Sequence, residues 1–111
     1  SAAELLQDNI LAHDRECSVE QIIEYISAEY SIKPAEMLSK SRAAKFVLPR
    51  QITAYLAKQL TTKSLQDIGQ RLGNRDHATV IYSINKLEEK LQSDKELGRT
   101  LGKFLEHFGK K

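Results

Sequence analysis

The sequence has one cysteine, Cys17, in 111 residues. One thiol excludes an internal disulfide and is typical of a protein from a reducing compartment. No apolar run approaches the roughly 20 residues that a membrane-spanning helix needs. The N-terminus also lacks the basic residues and following apolar stretch of a secretory signal. These absences predict a cytoplasmic protein.

The common signatures of catalysis and metal binding are missing as well. Gly102-Lys103 is followed by Phe104 instead of Ser or Thr, so it does not form a phosphate-binding P-loop. The cysteine and the histidines show no spacing typical of metal ligands. Asp76-His77 is the one tempting acid–base pair, but adjacent helical residues do not face each other. We therefore predict no catalytic residue, no metal ion and no cofactor for this domain.

Alternating apolar and polar residues, the pattern of a half-buried strand, are absent, and apolar residues recur at helical spacing instead. The predicted core stripes are Val19, Ile22, Ile23, Ile26 and Tyr30; Ile52, Leu56 and Leu60; Leu65, Ile68 and Leu72; Val80, Ile84, Leu87 and Leu91; and Leu97, Leu101, Phe104 and Phe108. With 41% hydrophobic and 29% charged residues, the composition suits one ordinary domain. The predicted fold class is all-α.

Several residues mark the ends of these helices. Ser18 with Gln21 forms a capping box at the start of the first firm helix. Pro34 suits the first position of a short helix, and Pro49 marks the N-terminus of a helix that runs to about Leu60. Asp94 is expected to cap the last helix.

Residues 64–91 predict a helix-turn-helix. Ser64 caps the first helix, and Asp67 at N3 can complete an acidic capping box. Gly69 permits close approach of the partner helix, while Gly73 can adopt the positive φ that ends a helix. Asn74 is the expected cap of the second helix, residues 75–91. The core stripe of that helix leaves Arg75, Ala78, Thr79, Tyr82, Asn85 and Lys86 on its far side, available to a DNA major groove.

Charge is distributed unevenly along the chain. Residues 1–32 carry seven acidic residues against one basic, and residues 33–63 carry seven basic residues against one acidic. Residues 39–48 have no clean helical period and contain Lys40, Arg42 and Lys45, so we predict a basic loop there. An arginine in such a loop can enter a narrow minor groove. Solvated surface charge is the plainer interpretation of the same pattern.

The start of the second helix offers groups that suit base edges. Asp76 can accept a hydrogen bond from a cytosine amino group, His77 can donate or accept, and Ala78 can contact a thymine methyl group. Thr79 can bond a phosphate or a base. In isolation, Asp76 and His77 would be an ordinary helix-start carboxylate and a surface histidine. The basic loop nearby favours the DNA-binding interpretation.

Two other functions remain open. Residues 2–13 form a modest amphipathic pattern that could lie on a membrane surface, although acidic residues there disfavour anionic lipid. The acidic N-terminal face could instead dock a partner in a helical protein-interaction module.

Residues 64–69 (SLQDIG) and 73–80 (GNRDHATV) resemble the signature of the C-terminal DNA-binding domain of the DnaA family of bacterial replication initiators. Residues 38–42 and 49–51, with Ala57-Lys58, match the basic loop and following helix of that domain in the same order. The resemblance implies a Trp-repressor-like helical bundle with a helix-turn-helix and a basic loop, preceded by a linker helix. Residues 1–17 would be that connector to an upstream AAA+ ATPase module, and residues 18–111 the DNA-binding domain.

By resemblance, the domain binds double-stranded DNA at TTATNCACA-like boxes of the replication origin. Arg42 matches the minor-groove arginine. The implied DNA-binding residues are Lys40, Arg42, Lys45, Arg50, Gln51, Lys58, Ser64, Leu65, Gln66, Arg75, Asp76, His77, Ala78 and Thr79. Ala78 stands where the family commonly has Thr or Ser, and Tyr82-Ser83 replaces a frequent His-Ala.

The family also implies partners beyond this domain. ATP is bound by the upstream module, and the full-length protein self-assembles on DNA through other domains. Acidic phospholipid is a further expected contact of the connector helix. The isolated domain is expected to be a monomer, in a bacterial protein associated with the nucleoid.

Overall fold

A computed structural model describes residues 17–109, which form six helices and no strand. The helices are α1 (Val19–Glu29), α2 (Pro34–Leu38), α3 (Ala44–Leu60), α4 (Leu65–Arg71), α5 (His77–Ser93) and α6 (Lys95–His107). The predicted all-α class is confirmed. The predicted connector helix, apart from Cys17, lies outside the described residues. Within those residues, no helix combines the length and apolarity needed to cross a membrane.

The predicted caps at both ends of the domain are confirmed. The Ser18 hydroxyl accepts from the Gln21 amide at 3.1 Å, and the Gln21 side chain accepts from the Ser18 amide at 2.9 Å. This reciprocal pair satisfies two backbone donors at the start of α1. At the start of α6, Asp94 accepts from the Leu97 amide at 3.0 Å. Pro34 occupies the first turn of α2, as expected.

The core lies where α1, α3, α4 and α5 meet, and α6 closes it over α1. All five predicted stripes contribute to it; the fully buried side chains include Ile22, Ile26, Met37, Ile52, Leu56, Ile68, Val80 and Leu87. In α6, Leu101 and Phe104 are buried, and Tyr25 of α1 packs edge-on against the Phe104 ring at 5.5 Å between centroids. Burial of this apolar surface is the main stabilising term for the fold.

The prediction that Pro49 begins a helix is wrong, because α3 begins at Ala44 and contains Pro49. The predicted loop over residues 39–48 is therefore limited to residues 39–43. A proline beyond the first turn removes one helical hydrogen bond and crowds the preceding turn. The compensation is burial: Phe46 is 5% exposed, and Pro49 is itself buried. The predicted end near Leu60 is correct.

The helix-turn-helix is confirmed, but its second helix starts later than predicted. Gly73 has φ +81°, and Asn74 adopts the left-handed conformation with φ +60°. Asn74 therefore lies within the turn, and Asp76 caps α5 instead, accepting from the Thr79 amide at 2.9 Å. The left-handed region tolerates asparagine better than most residues, which explains its place in the turn.

Two further predictions concern Ser64 and Asp67, at the start of the first helix of the motif. Ser64 caps α4, with its hydroxyl 3.1 Å from the Asp67 amide nitrogen. The acidic capping box does not form, because the Asp67 carboxylate accepts from Arg71 Nε at 3.0 Å. An i, i+4 partner on the helix surface thus outcompetes the helix end for this carboxylate.

Candidate nucleic-acid interface

The exposed N-terminal turn of α5 is the centre of the candidate interface. His77, Ala78 and Thr79 are all exposed, while Val80 turns into the core with 1% exposure. Thr79 points about 100° and Ala78 about 160° away from Val80. His77 lies only about 60° from Val80, but it is in the first turn, where its side chain projects from the end of the helix. The turn can therefore enter a groove without disturbing the packing beneath it.

Asp76 is fixed by its role as the cap of α5. Its Oδ1 accepts from the Thr79 amide, and the bonds from the backbone and side chain of Thr79, with a smaller contribution from His77, lower the pKa of the Asp76 carboxyl. The carboxylate is exposed, so it retains acceptor capacity for an external donor. Its negative charge is offset by the positive end of the α5 dipole.

A shallow hollow next to this turn joins α4 to α5. It is lined by Gln66, Gln70, Asn74, Arg75, Asp76 and His77. Gln66 and Gln70 are four residues apart on α4 and so share one face. Both are exposed and can donate and accept hydrogen bonds. The hollow therefore extends the polar surface from α5 onto α4.

The predicted residues at the start of α4 form the next part of this surface. Ser64 and Gln66 are exposed, and Leu65 is half-buried. Leu65 also lines a groove with the exposed Lys58 of α3. A lysine beside a helix N-terminus is a suitable environment for a phosphate.

The basic loop, residues 39–43, lies against the turn of the helix-turn-helix. Lys40 Nζ donates to the Gly73 carbonyl oxygen at 2.9 Å. Arg42 and Lys45 are exposed; within the described residues Arg42 has no ion pair or side-chain hydrogen bond, and Lys45 Nζ lies 5.3 Å from the centroid of the Phe46 ring. Arg42 is thus available to an external anion or groove.

Arg50 was predicted to contact phosphate from the first turn of a helix, but that premise fails because α3 begins six residues earlier. Its half-buried guanidinium turns toward the basic loop and donates to the carbonyl oxygens of Met37 at 2.8 Å, Ser39 at 2.8 Å, Ser41 at 2.6 Å and Glu36 at 3.1 Å. Burial, followed by the nearby Arg75 charge, lowers the pKa of Arg50. These bonds make Arg50 the internal support of the basic loop.

Arg75 is also turned inward. It donates to the carbonyl oxygens of Leu72 and Ser39, the latter at 2.8 Å, and burial lowers the pKa of its guanidinium. Gln51 is 7% exposed and accepts from Lys90 Nζ at 2.9 Å near the C-terminal end of α5. The structure therefore does not bring Gln51 together with the other predicted site residues.

Gln70 lines the candidate interface but is not among the predicted residues, and Asn74 lies in the turn instead of capping α5. The signal for Gln70 was present, since it follows Gln66 by four residues on a helix that precedes the turn. The inward orientation of Arg50 and Arg75 had no such local signal. Across residues 17–109, no group of three or more potential metal ligands is brought together.

Comparison with known proteins identifies the family of this domain. Residues 19–87 match the family model described as the bacterial dnaA protein helix-turn-helix. The chain is similar to the chromosomal replication initiator protein DnaA of Paraburkholderia phymatum, with 44% identity over 98 residues, 88% of this chain and 19% of that protein. It is 42% identical to the Rickettsia akari protein of the same name over 106 residues, 93% of this chain and 23% of that protein.

A third relative, the Gluconobacter oxydans chromosomal replication initiator protein DnaA, is 42% identical over 91 residues, 82% of this chain and 19% of that protein. The chain thus spans about a fifth of the length of these relatives. The family model covers the basic loop, α4 and α5 as far as Leu87. The chain belongs to the bacterial DnaA helix-turn-helix family, whose domain binds DNA and is not catalytic.

Proposed function

We propose that this domain binds double-stranded DNA at specific short boxes, TTATNCACA-like in sequence, in the initiation of bacterial chromosome replication. α5 would enter the major groove, and Arg42 would enter the adjacent minor groove. One observation carries the proposal: the exposed first turn of α5 and the basic loop are joined on one face, through Lys40 Nζ on the Gly73 carbonyl oxygen. A single face can therefore reach two grooves of one duplex.

The first turn of α5 supplies the proposed base contacts. Asp76 accepts a hydrogen bond from a cytosine amino group through the carboxylate lone pairs that the cap does not use. His77 donates to or accepts from a neighbouring base edge. Ala78 contributes a methyl group that fits beside a thymine methyl. Gln70, on the adjacent wall of the hollow, has the amide that suits an adenine edge or a phosphate.

Phosphate contacts would fix the orientation of the domain without discriminating sequence. Lys58 and the N-terminus of α4 form one such site, and Thr79 can supply a hydroxyl on the other side of the groove. Lys45 adds charge at the first turn of α3. These exposed groups predict an affinity for DNA that falls as the salt concentration rises, because counterions return to the duplex.

The larger protein context is also part of the proposal. The relatives named as chromosomal replication initiators are more than four times as long as this chain. We propose that residues 18–111 are the DNA-binding domain and that residues 1–17 connect it to an ATPase module elsewhere in the full-length protein. In this arrangement, ATP binding and self-assembly on DNA belong to other domains, and the isolated domain binds as a monomer.

Fluorescence anisotropy with a box duplex and a scrambled duplex of the same composition tests this function. Arg42→Ala and His77→Ala should each reduce the preference for the box by about tenfold, since one base contact is typically worth that much. Lys95→Ala is the matched control, because Lys95 lies beyond the far end of the 17-residue α5, roughly 25 Å from His77. If both site variants prefer the box over the scrambled duplex as strongly as wild type does, the proposed function is wrong.

A further inference from the structure

Arg75 lies where the helix-turn-helix meets the basic loop. Its Nη2 donates to the Ser39 carbonyl oxygen at 2.8 Å, and its Nη1 donates to the Leu72 carbonyl oxygen. Leu72 ends α4, and Ser39 begins the loop that carries Arg42. One guanidinium thus joins the turn to a backbone segment that lies 36 positions before Arg75 in the chain.

The junction contains little free space. Gly73, the residue after Leu72, has φ +81°, and a side chain there would collide with the Leu38 carbonyl group and the Arg75 guanidinium. Lys40 Nζ closes the same junction from the solvent side, on the Gly73 carbonyl oxygen. The loop and the turn are therefore packed backbone to backbone.

Arg50 holds the loop from the interior. Its guanidinium donates to the Ser39 and Ser41 carbonyl oxygens, at 2.8 Å and 2.6 Å. Ser39 therefore accepts from both arginines, and Ser41 immediately precedes Arg42. Arg50 fixes the shape of the loop, but its acceptors all lie in residues 36–41, so it makes no bond to the helix-turn-helix.

We infer that Arg75 is a positioning residue that fastens the basic loop to the turn of the helix-turn-helix, so that Arg42 and the first turn of α5 keep one fixed spacing. The effect on binding two grooves of one duplex rests on the proposed function. A planar guanidinium can serve two carbonyl groups at once, whereas a lysine ammonium keeps the charge without that fork. Arg75→Lys therefore separates positioning from a simple phosphate contact.

The first measurement needs no DNA. Backbone ¹⁵N relaxation reports order on the fast timescale for each amide of residues 39–43. Arg75→Lys should lower the order parameters of this loop. Arg71→Lys is the matched control, because Arg71 is four residues away and pairs with Glu20 and Asp67, each at 3.0 Å, instead of with the loop.

The second measurement isolates the minor groove. Replacing adenine by 2,6-diaminopurine at successive A·T pairs of the box adds an amino group to the minor groove and leaves the major-groove edge unchanged. Wild type and Arg71→Lys should lose about tenfold in affinity at the pair that Arg42 reaches. For Arg75→Lys, that penalty should shrink to under about threefold, while the penalty for changing major-groove contacts is retained.

The outcomes separate the inference from the function on which it rests. If wild type does not prefer the box, the proposed function fails, and the relaxation data still decide whether Arg75 fixes the loop. If Arg75→Lys leaves both the loop order and the diaminopurine penalty unchanged, the positioning role is overturned. Should circular dichroism show that Arg75→Lys is unfolded, Lys40→Met gives the second test, since it removes the contact to Gly73 and leaves the Arg75 bonds in place. The inference predicts an ordered, unchanged loop in Lys40→Met; a disordered loop would assign the fastening to Lys40 and overturn the inference.

Discussion

At the scale of single residues, Asp76 combines two roles that substitution can separate. Its carboxylate caps α5, and the same group is the proposed acceptor from a cytosine. Asparagine is as good a cap as aspartate but presents an amide in place of the charge. We expect Asp76→Asn to retain the thermal stability of the domain and to alter the preferred base at one position. Asp76→Ala should lower the thermal stability of the domain and weaken the base preference at that position. Thermal unfolding measures the first effect, and titration of boxes substituted at that position measures the second.

The same carboxyl group predicts a pH dependence of stability. Because its pKa is lowered in the folded domain, its stabilising contribution is present above the unfolded value of about 3.9 and is lost as pH falls through the folded value. The difference in free energy of unfolding between wild type and Asp76→Ala should be constant at neutral pH and shrink in acid. Urea titrations over a pH series check this; a difference that grows in acid would contradict the capping role.

At the scale of helices, two glycines make a matched pair. A methyl group on Gly69 of α4 would collide with the Arg75 carbonyl group and crowd Val80, whereas a methyl group on Gly98 of α6 meets nothing within 4 Å. We expect Gly69→Ala to destabilise the domain by about 1–3 kcal/mol through overpacking. Gly98→Ala should stabilise it by about 0.5–1 kcal/mol through helix propensity.

Urea unfolding of these two variants measures both effects. The pair tests whether the close approach of the two helices of the motif depends on the missing side chain. If both substitutions stabilise the domain equally, the packing of α4 against α5 does not depend on the absence of a side chain at Gly69.

The helices also show how far local patterns predict this structure. The Ser18 and Asp94 caps and the apolar stripes follow from spacing within a few residues, and each was predicted. Pro49 was misplaced because its helix extends backward over Phe46, whose burial is a tertiary effect that local propensity does not contain. The exposure of Ala78 and Thr79 was predicted because they lie opposite the core stripe of α5, and His77, which flanks that stripe in the first turn, is exposed as well.

The remainder of the site depends on contacts between distant segments. Arg50 and Arg75 carry the charge of DNA-binding residues in the sequence, and only the folded loop supplies the carbonyl oxygens that turn them inward. Gln51 is likewise buried, and it accepts a hydrogen bond from Lys90, 39 positions away. Charge along the chain thus predicted more DNA-facing residues than the structure leaves free to face a duplex.

At the scale of the whole molecule, the interface combines a sequence-independent part with a specific part. Lys58 lies beside the N-terminus of α4 and away from the base-contacting turn. It is therefore expected to contribute to the sequence-independent part of the interface. We expect Lys58→Ala to weaken binding to box and scrambled duplexes by the same factor and to reduce the slope of log K against log salt by about 1. A selective loss on the box duplex would assign Lys58 to base recognition instead.

The most direct test of sequence-specific DNA binding is a salt series of wild-type affinities for a box duplex and a scrambled duplex. Both affinities should fall as salt rises, since exposed cations contact phosphates in both complexes. The box affinity should remain at least about a thousandfold higher throughout, the lower end of the usual ratio for specific recognition. Two coincident lines, with equal affinity at every salt concentration, would contradict the proposed function.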